Sequence, residues 1–241
     1  MSRLRVRYTK HGRIRFLSHR DVARCLERAV RRAGLPVAYS QGFSPRARLH
    51  FGLALSTGFE SDAEYFDVDL VDGRSAPGLD TLPSVLGSAL PEGIDVEAVV
   101  PIAPGTPSLQ DAVVSCTWRF TVPGAAPGAL AEAAARLTAR ESIPLTLVRK
   151  GKQVREDLRP LLGGIVAEPG AMGTELTVDL GTKPRSVRPV EFLSALDAPE
   201  LTGDVADVRV LRTHQWINVD GRRCEPISLG APSTRIGERA S

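Results

Sequence analysis

Leu4, Val6 and Tyr8 alternate with Arg3, Arg5 and Arg7, and soon afterwards Val22, Cys25, Leu26, Ala29, Val30 and Ala33 recur at three- and four-residue spacing. A period of two followed so closely by a helical period implies a half-buried strand feeding a helix that must lay its apolar stripe back on the same core. Ser18 with Asp21 makes a capping start for that helix, and Gly34 and Pro36 stop it. The chain is thereby steered toward a mixed α+β fold.

The remaining pattern extends this beginning. Ile14 and Phe16 alternate with Arg13 and Arg15 past the His11-Gly12 turn, which predicts a further piece of strand before the helix. A short strand at Val37 to Tyr39 follows, then a loop from Ser40 to Pro45, a strand in which Ala47, Leu49, Phe51 and Leu53 face one way, and a strand at Phe66 to Leu70 with Asp67 and Asp69 outward. A helix around Leu79 to Leu90 and a strand at Ile94 to Val100 complete the order strand, helix, strand, strand, helix, strand. Pro101, Pro104, Gly105 and Pro107 then punctuate a linker. Beyond it come a strand at Cys116 to Val122, a helix through Leu130 to Leu137, strands at Pro144 to Val148, Ile165 to Ala167 and Leu176 to Leu180, a helix at Val190 to Leu196 and a strand at Val205 to Leu211. The recurring element order predicts two tandem ferredoxin-like (βαββαβ) domains, residues 1–103 and 110–218, with a loose tail at 219–241.

A chain of 241 residues with 42% hydrophobic content can bury one large core or two small ones. Met1 leads directly into an arginine-rich run, and no stretch of about 18 apolar residues exists, so the expected setting is cytoplasmic with no membrane. Cys25, Cys116 and Cys224 are too far apart for a zinc knuckle or an iron–sulfur loop. They are expected to be reduced, and no metal or cofactor is expected.

Charge carries the strongest functional signal. The first fifty residues hold thirteen bases against Asp21 and Glu27, a net +11, whereas residues 51–110 sum to −9. Positive charge of that density suits a polyanion, nucleic acid before any other. The competing reading is structural, with Arg46 and Arg48 sitting opposite Asp67 and Asp69 and neutralising them across one sheet. On the helix, Arg20, Arg24, Arg28 and Arg31 fall on the side away from the apolar stripe. The loop Ser40, Gln41, Gly42, Phe43, Ser44 either clamps a phosphate and stacks a base on Phe43, or is an ordinary turn with Phe43 tucked into the core.

Catalytic constellations are scarce. GxxxxGK[ST], strand-linked GxGxxG, HExxH and GxSxG motifs are all missing from the sequence. Of the four histidines, only His19, in the first turn of the arginine-rich helix, is placed for general-base chemistry, with capping or packing as its structural alternative.

The motifs RFLSHRD at Arg15 to Asp21, RRAGLPVAYSQGFSPR at Arg31 to Arg46, SDAEYFDVDL at Ser61 to Leu70 and, more loosely, VRPVEFLSAL at Val187 to Leu196 resemble the radical-SAM-linked protein family, a domain of unknown function. The resemblance implies a radical SAM protein as partner and a link to RNA. A second resemblance is architectural, to CRISPR repeat-processing endoribonucleases, but the glycine-rich loop of those enzymes has no counterpart in the scattered Gly221, Gly230 and Gly237.

The first expectation is therefore a non-catalytic RNA-binding accessory module that grips structured RNA through Arg13, Arg15, His19, Arg20, Arg24, Ser40, Gln41, Gly42, Phe43, Arg46 and Arg48 and acts with a radical SAM enzyme in RNA modification or processing. Two alternatives stand beside it. One is a metal-independent endoribonuclease with His19 as base, and the other is a protein–protein interaction module without RNA.

Overall fold

The computed structural model of the chain describes residues 2–71, 78–149, 151–198, 201 and 207–230. They form a mixed α+β protein built on a large, mostly antiparallel nine-stranded sheet with a few short helices. The first strand, β1 (Ser2–Lys10), enters a sharp turn at Gly12, whose φ of 63° favours glycine. Helix α1 (His19–Arg32) follows, with the Ser18 side chain accepting from the Asp21 backbone N–H and Gly34 closing the far end at φ 66°. Then come β2 (Leu49–Phe51), β3 (Glu60–Leu70), α2 (Leu82–Gly87) and β4 (Val96–Ile102).

The second half opens with α3 (Leu109–Ala112) and β5 (Val113–Pro123), followed by α4 (Pro127–Thr138). A separate two-stranded hairpin, β6 (Pro144–Arg149) and β7 (Lys152–Asp157), precedes β8 (Leu162–Gly170) and β9 (Gly173–Gly181). Helix α5 (Pro189–Leu196), β10 (Arg209–Val219) and β11 (Arg222–Cys224) are the last α-helix and strands among the described residues. In space the strands run β4-β1-β3-β10-β5-β9-β8, with β2 beside β3 and β11 beside β10.

Two apolar clusters hold this sheet. Leu4, Val6, Tyr8, Phe66 and Val68 pack under Val22, Leu26, Ala29 and Val30 of α1 and Leu82 and Leu86 of α2. Cys116, Trp118, Phe120, Leu176 and Val178 pack under Leu130, Ala133 and Leu137 of α4 and Phe192 and Leu196 of α5. The halves meet where β3 and β10 run parallel, over only Leu211 with Glu60 and Arg212 with Ser61.

Several expectations change. Residues 12–16 are a single 3₁₀ turn, not strand, with Phe16 left 60% exposed. The alternation there has no buried face to serve. The Lys10 ammonium instead reaches back to accepting carbonyls of Arg15 and Leu17 at 3.2 and 3.0 Å and fastens the turn. Burial pushes the Lys10 pKa down, the neighbouring Glu64 charge only partly opposing it. The second helix is shorter than its apolar pattern, and Val37 and Tyr39 make only isolated bridges, to Leu70 and Ala47.

The last strand starts later and runs further than Val205 to Leu211, because Thr213, Gln215 and Ile217 are buried on it; Val205 itself lies outside the described residues. The tail is not loose over 222–230. There β11 pairs with β10, and Pro226–Gly230 turns back over β1 and β3. Residues 231–241 lie outside the described residues.

Candidate nucleic-acid interface

Cross-strand register decides the fate of the first arginines. Arg3 stands opposite Asp69 and Arg5 opposite Asp67 on β1 and β3. The Arg5 guanidinium forks onto Asp67 at 2.8 and 3.0 Å, donates to the Pro226 carbonyl at 3.1 Å and is wholly buried. Arg3 donates to Asp69 at 2.6 Å, and Arg7 pairs with Glu97 and Glu225. Arg3 and Arg5 neutralise the acidic face of β3, as the structural reading of the charge held, but these partners come from β1, and Arg7 is spent on Glu97 of β4 and on Glu225. Arg48 adds a longer contact to Asp69 at 3.5 Å, while the Arg46 side chain makes no ion pair among the described residues.

What remains is concentrated. Arg13, Arg20, Arg28, Arg31, Arg32 and Arg46 are exposed and pair with no carboxylate among the described residues, and Arg24 makes only an exposed i,i+3 contact to Asp21. Five of these seven sit on α1. The buried Val22, Leu26, Ala29 and Val30 fix one side of that helix, which throws Arg20, Arg24, Arg28 and Arg31 outward together along about 18 Å. The two arginines of the last turn also suit the negative end of the helix dipole.

The loop beyond α1 adds an aromatic tip. Ser40 and Arg46 close it by two bonds, the Ser40 N–H donating to the Arg46 carbonyl and the Ser40 hydroxyl accepting from the Arg46 N–H. Gly42 takes a φ of 132°, Gln41 is exposed, and Phe43 is fully exposed at 110%, not tucked into the core. Tyr39 at the base of this loop lies under the Arg31 guanidinium at 5.8 Å. Helix and loop are thus in contact.

Arg15 belongs elsewhere. It leans over Phe16 at 4.6 Å and toward Glu60 at 3.7 Å. His19, exposed at the start of α1, meets Phe51 edge to face at 5.0 Å, which orients the ring by packing.

His50 and Arg3 both converge on Asp69. Burial pulls the Asp69 carboxyl upward, but their hydrogen bonds outweigh it and hold the group below the usual carboxylate range. Asp179 behaves alike, with burial opposed by bonds from Arg223 and Thr117. A carboxyl depressed in the folded state adds stability above its unfolded value, about pH 3.9, and loses it as the pH falls through the lower folded value. Urea unfolding is therefore expected to give a lower free energy at about pH 2 than at about pH 5. Asp69→Asn should flatten that dependence, and an unchanged acid limb in this variant would contradict the assignment.

Two groupings had weak sequence signals. Trp216 stacks on His214 at 4.9 Å and carries the Arg223 guanidinium at 4.1 Å, with Arg223 forked onto Asp179 at 2.7 Å. The alternation of His214 and Trp216 marks them as neighbours on one face once β10 is extended past Leu211. Arg212 is buried against Glu64 and Trp118, and no period distinguishes it from an exposed strand arginine.

Among the described residues, no group of three or more His, Cys, Asp or Glu side chains is arranged to hold a metal ion, and no helix is long and apolar enough to cross a membrane. Residues 3–189 match the family DUF2344, described as an uncharacterized protein conserved in bacteria. No curated protein matches the chain.

Proposed function

Since the chain belongs to the DUF2344 family, whose description assigns no reaction, we propose that it is a non-catalytic RNA-binding module of the cytoplasm whose grip is the outer face of α1 with the adjoining 40–46 loop. The observation that carries this is the sorting of the arginines. Those on β1 are committed to Asp67, Asp69 and their neighbours, whereas Arg20, Arg24, Arg28 and Arg31 share one exposed helix face beside an exposed Phe43. Guanidiniums so placed neutralise phosphates, and a bare phenyl ring stacks a base of any identity.

The strand orders β4-β1-β3-β2 and β10-β5-β9-β8 support the finer reading of two ferredoxin-like units, with β6 and β7 inserted into the second. On that reading the division falls between residues 103 and 110. A radical SAM enzyme as the partner that receives the RNA rests on the motif resemblance alone.

Titrating a labelled RNA hairpin and a single-stranded RNA into the protein at about 50 and about 200 mM salt tests the proposal. Affinity should fall steeply with salt. For the single strand, the variant Arg20→Ala/Arg24→Ala/Arg28→Ala/Arg31→Ala should lower the slope of log K against log salt by about 0.7 for every phosphate it no longer neutralises. No affinity at low salt would sink the reading and favour a protein partner. RNA cleavage by the wild type that disappears in His19→Ala would replace it with the endoribonuclease.

A further inference from the structure

Four stretches far apart in sequence converge on one cavity of about 360 Å³ between the two halves. The 3₁₀ turn brings Arg15 and Phe16, the approach to β3 brings Phe59 and Glu60, α5 brings Val190 and Leu193, and the start of β10 brings Val208 and Arg209. Two of the sequence motifs, at Arg15 to Asp21 and Val187 to Leu196, therefore meet here, and the α1 surface uses neither Phe16 nor α5.

The walls and rim differ in chemistry. Phe16, Phe59, Leu193 and Val208 make an apolar slot, and Phe16 stays 60% exposed although an ordinary core would have drawn it in. At the rim, two guanidiniums share a single carboxylate. Arg209 donates to Glu60 at 3.1 Å, Arg15 stays 3.7 Å from it, and the Gly12 backbone N–H already occupies the Glu60 Oε1 at 2.8 Å. Among the described residues, one negative charge faces two positive ones, and each guanidinium has more N–H donors than the contacts found for it there.

We propose that this cavity binds one nucleotide unit, its base in the apolar slot against Phe16 and its phosphate on Arg15 and Arg209. A volume near 360 Å³ lies at the small end of ligand sites, enough for a single base and sugar. Phe16 lies three residues before the start of α1, so the slot and the arginine face are neighbours along the chain. The inference rests on the RNA reading for the source of that nucleotide, an unstacked residue of the gripped strand. A free mononucleotide offers the same chemistry.

The test uses the whole chain, with short oligouridine and UMP as probes. Phe16→Ala removes the stacking ring, and Val190→Trp blocks the mouth from an exposed position that tolerates a larger side chain. Oligouridine affinity should drop at least about fivefold in each variant, the size of one base–aromatic stack, with thermal unfolding unchanged. The salt slope should stay close to wild type in Phe16→Ala and fall by no more than about 0.7, one phosphate, in Val190→Trp, in contrast to the larger fall in the α1 variant. Oligouridine binding equal to wild type in both variants would overturn the cavity and leave the α1 grip standing. If the wild type shows no RNA affinity at low salt, UMP decides alone. UMP binding abolished by Val190→Trp supports the site for a free nucleotide, and its absence or indifference to that change overturns the site.

Discussion

Replacing Asp67 by alanine is expected to lower the stability of the folded chain by about 3–5 kcal/mol, a large part of the 5–15 kcal/mol that holds a typical domain together. The Arg5 guanidinium has no exposure, and both its paired nitrogens face Asp67. Without that carboxylate it keeps, among the described residues, only the Pro226 carbonyl, one neutral acceptor for a full buried charge. Replacing the pair together, Arg5→Met with Asp67→Leu, removes charge and partner at once and should cost far less, because filling such a site with apolar volume avoids desolvating either ion. Urea unfolding of the two variants side by side measures the difference. A drop below about 1 kcal/mol in Asp67→Ala would mean that Arg5 finds water or another anion, and the face between β1 and β3 would not be sealed.

The same pair explains why gross charge misleads as a guide to function. Arg3, Arg5 and Arg7 are as basic as Arg20, Arg24 and Arg28, yet the register against β3 for the first two, and Glu97 and Glu225 for Arg7, turn them into structural cations. Salt screens exposed charges over about 8–10 Å but leaves buried pairs nearly untouched. The two sets should therefore separate by experiment. On the proposed function, variants on β1 should change stability with little effect on salt-dependent binding, and variants on α1 should do the reverse.

Periodicity made α1, β5 and β9 legible, because each lays one face on a core and carries a full set of apolar residues there. It failed at Ile14 and Phe16, where alternation coincides with a 3₁₀ turn fastened by Lys10, a tertiary contact that no local pattern encodes. The β6–β7 hairpin was only half visible, since Lys152–Asp157 is polar on both sides and carries Val154 as its lone aliphatic residue. The helix half of the candidate interface was readable from the spacing of Arg20, Arg24 and Arg28 opposite Val22, Leu26 and Ala29. The cavity beside Phe16 was not, because its walls come from segments that meet only after the two halves join.

That junction should depend on one further buried pair. Backbone pairing between β3 and β10 spans two residue pairs, so side chains must hold most of the seam. Arg212 reaches from β10 to Glu64 on β3 with Nε at 3.0 Å and Nη2 at 2.5 Å, donates to the Leu53 carbonyl at 3.0 Å and lies 5.2 Å over Trp118. Gln215 adds a bond to the Ala63 carbonyl at 2.6 Å. Glu64→Gln keeps the shape and deletes the charge, leaving Arg212 uncompensated, and is expected to cost about 3–5 kcal/mol.

Two readouts locate that cost. Amide exchange at Leu211 and Arg212 should accelerate ahead of the strands inside each half, because the seam opens first. The Cys116 thiol, which burial pushes up to about 11 with Glu64 contributing and Arg212 opposing, should titrate at lower pH once the Glu64 charge is gone. A variant that is destabilised with uniform exchange and an unmoved thiol would place the damage outside the seam, and the two halves would then be joined by something other than Arg212 and Glu64.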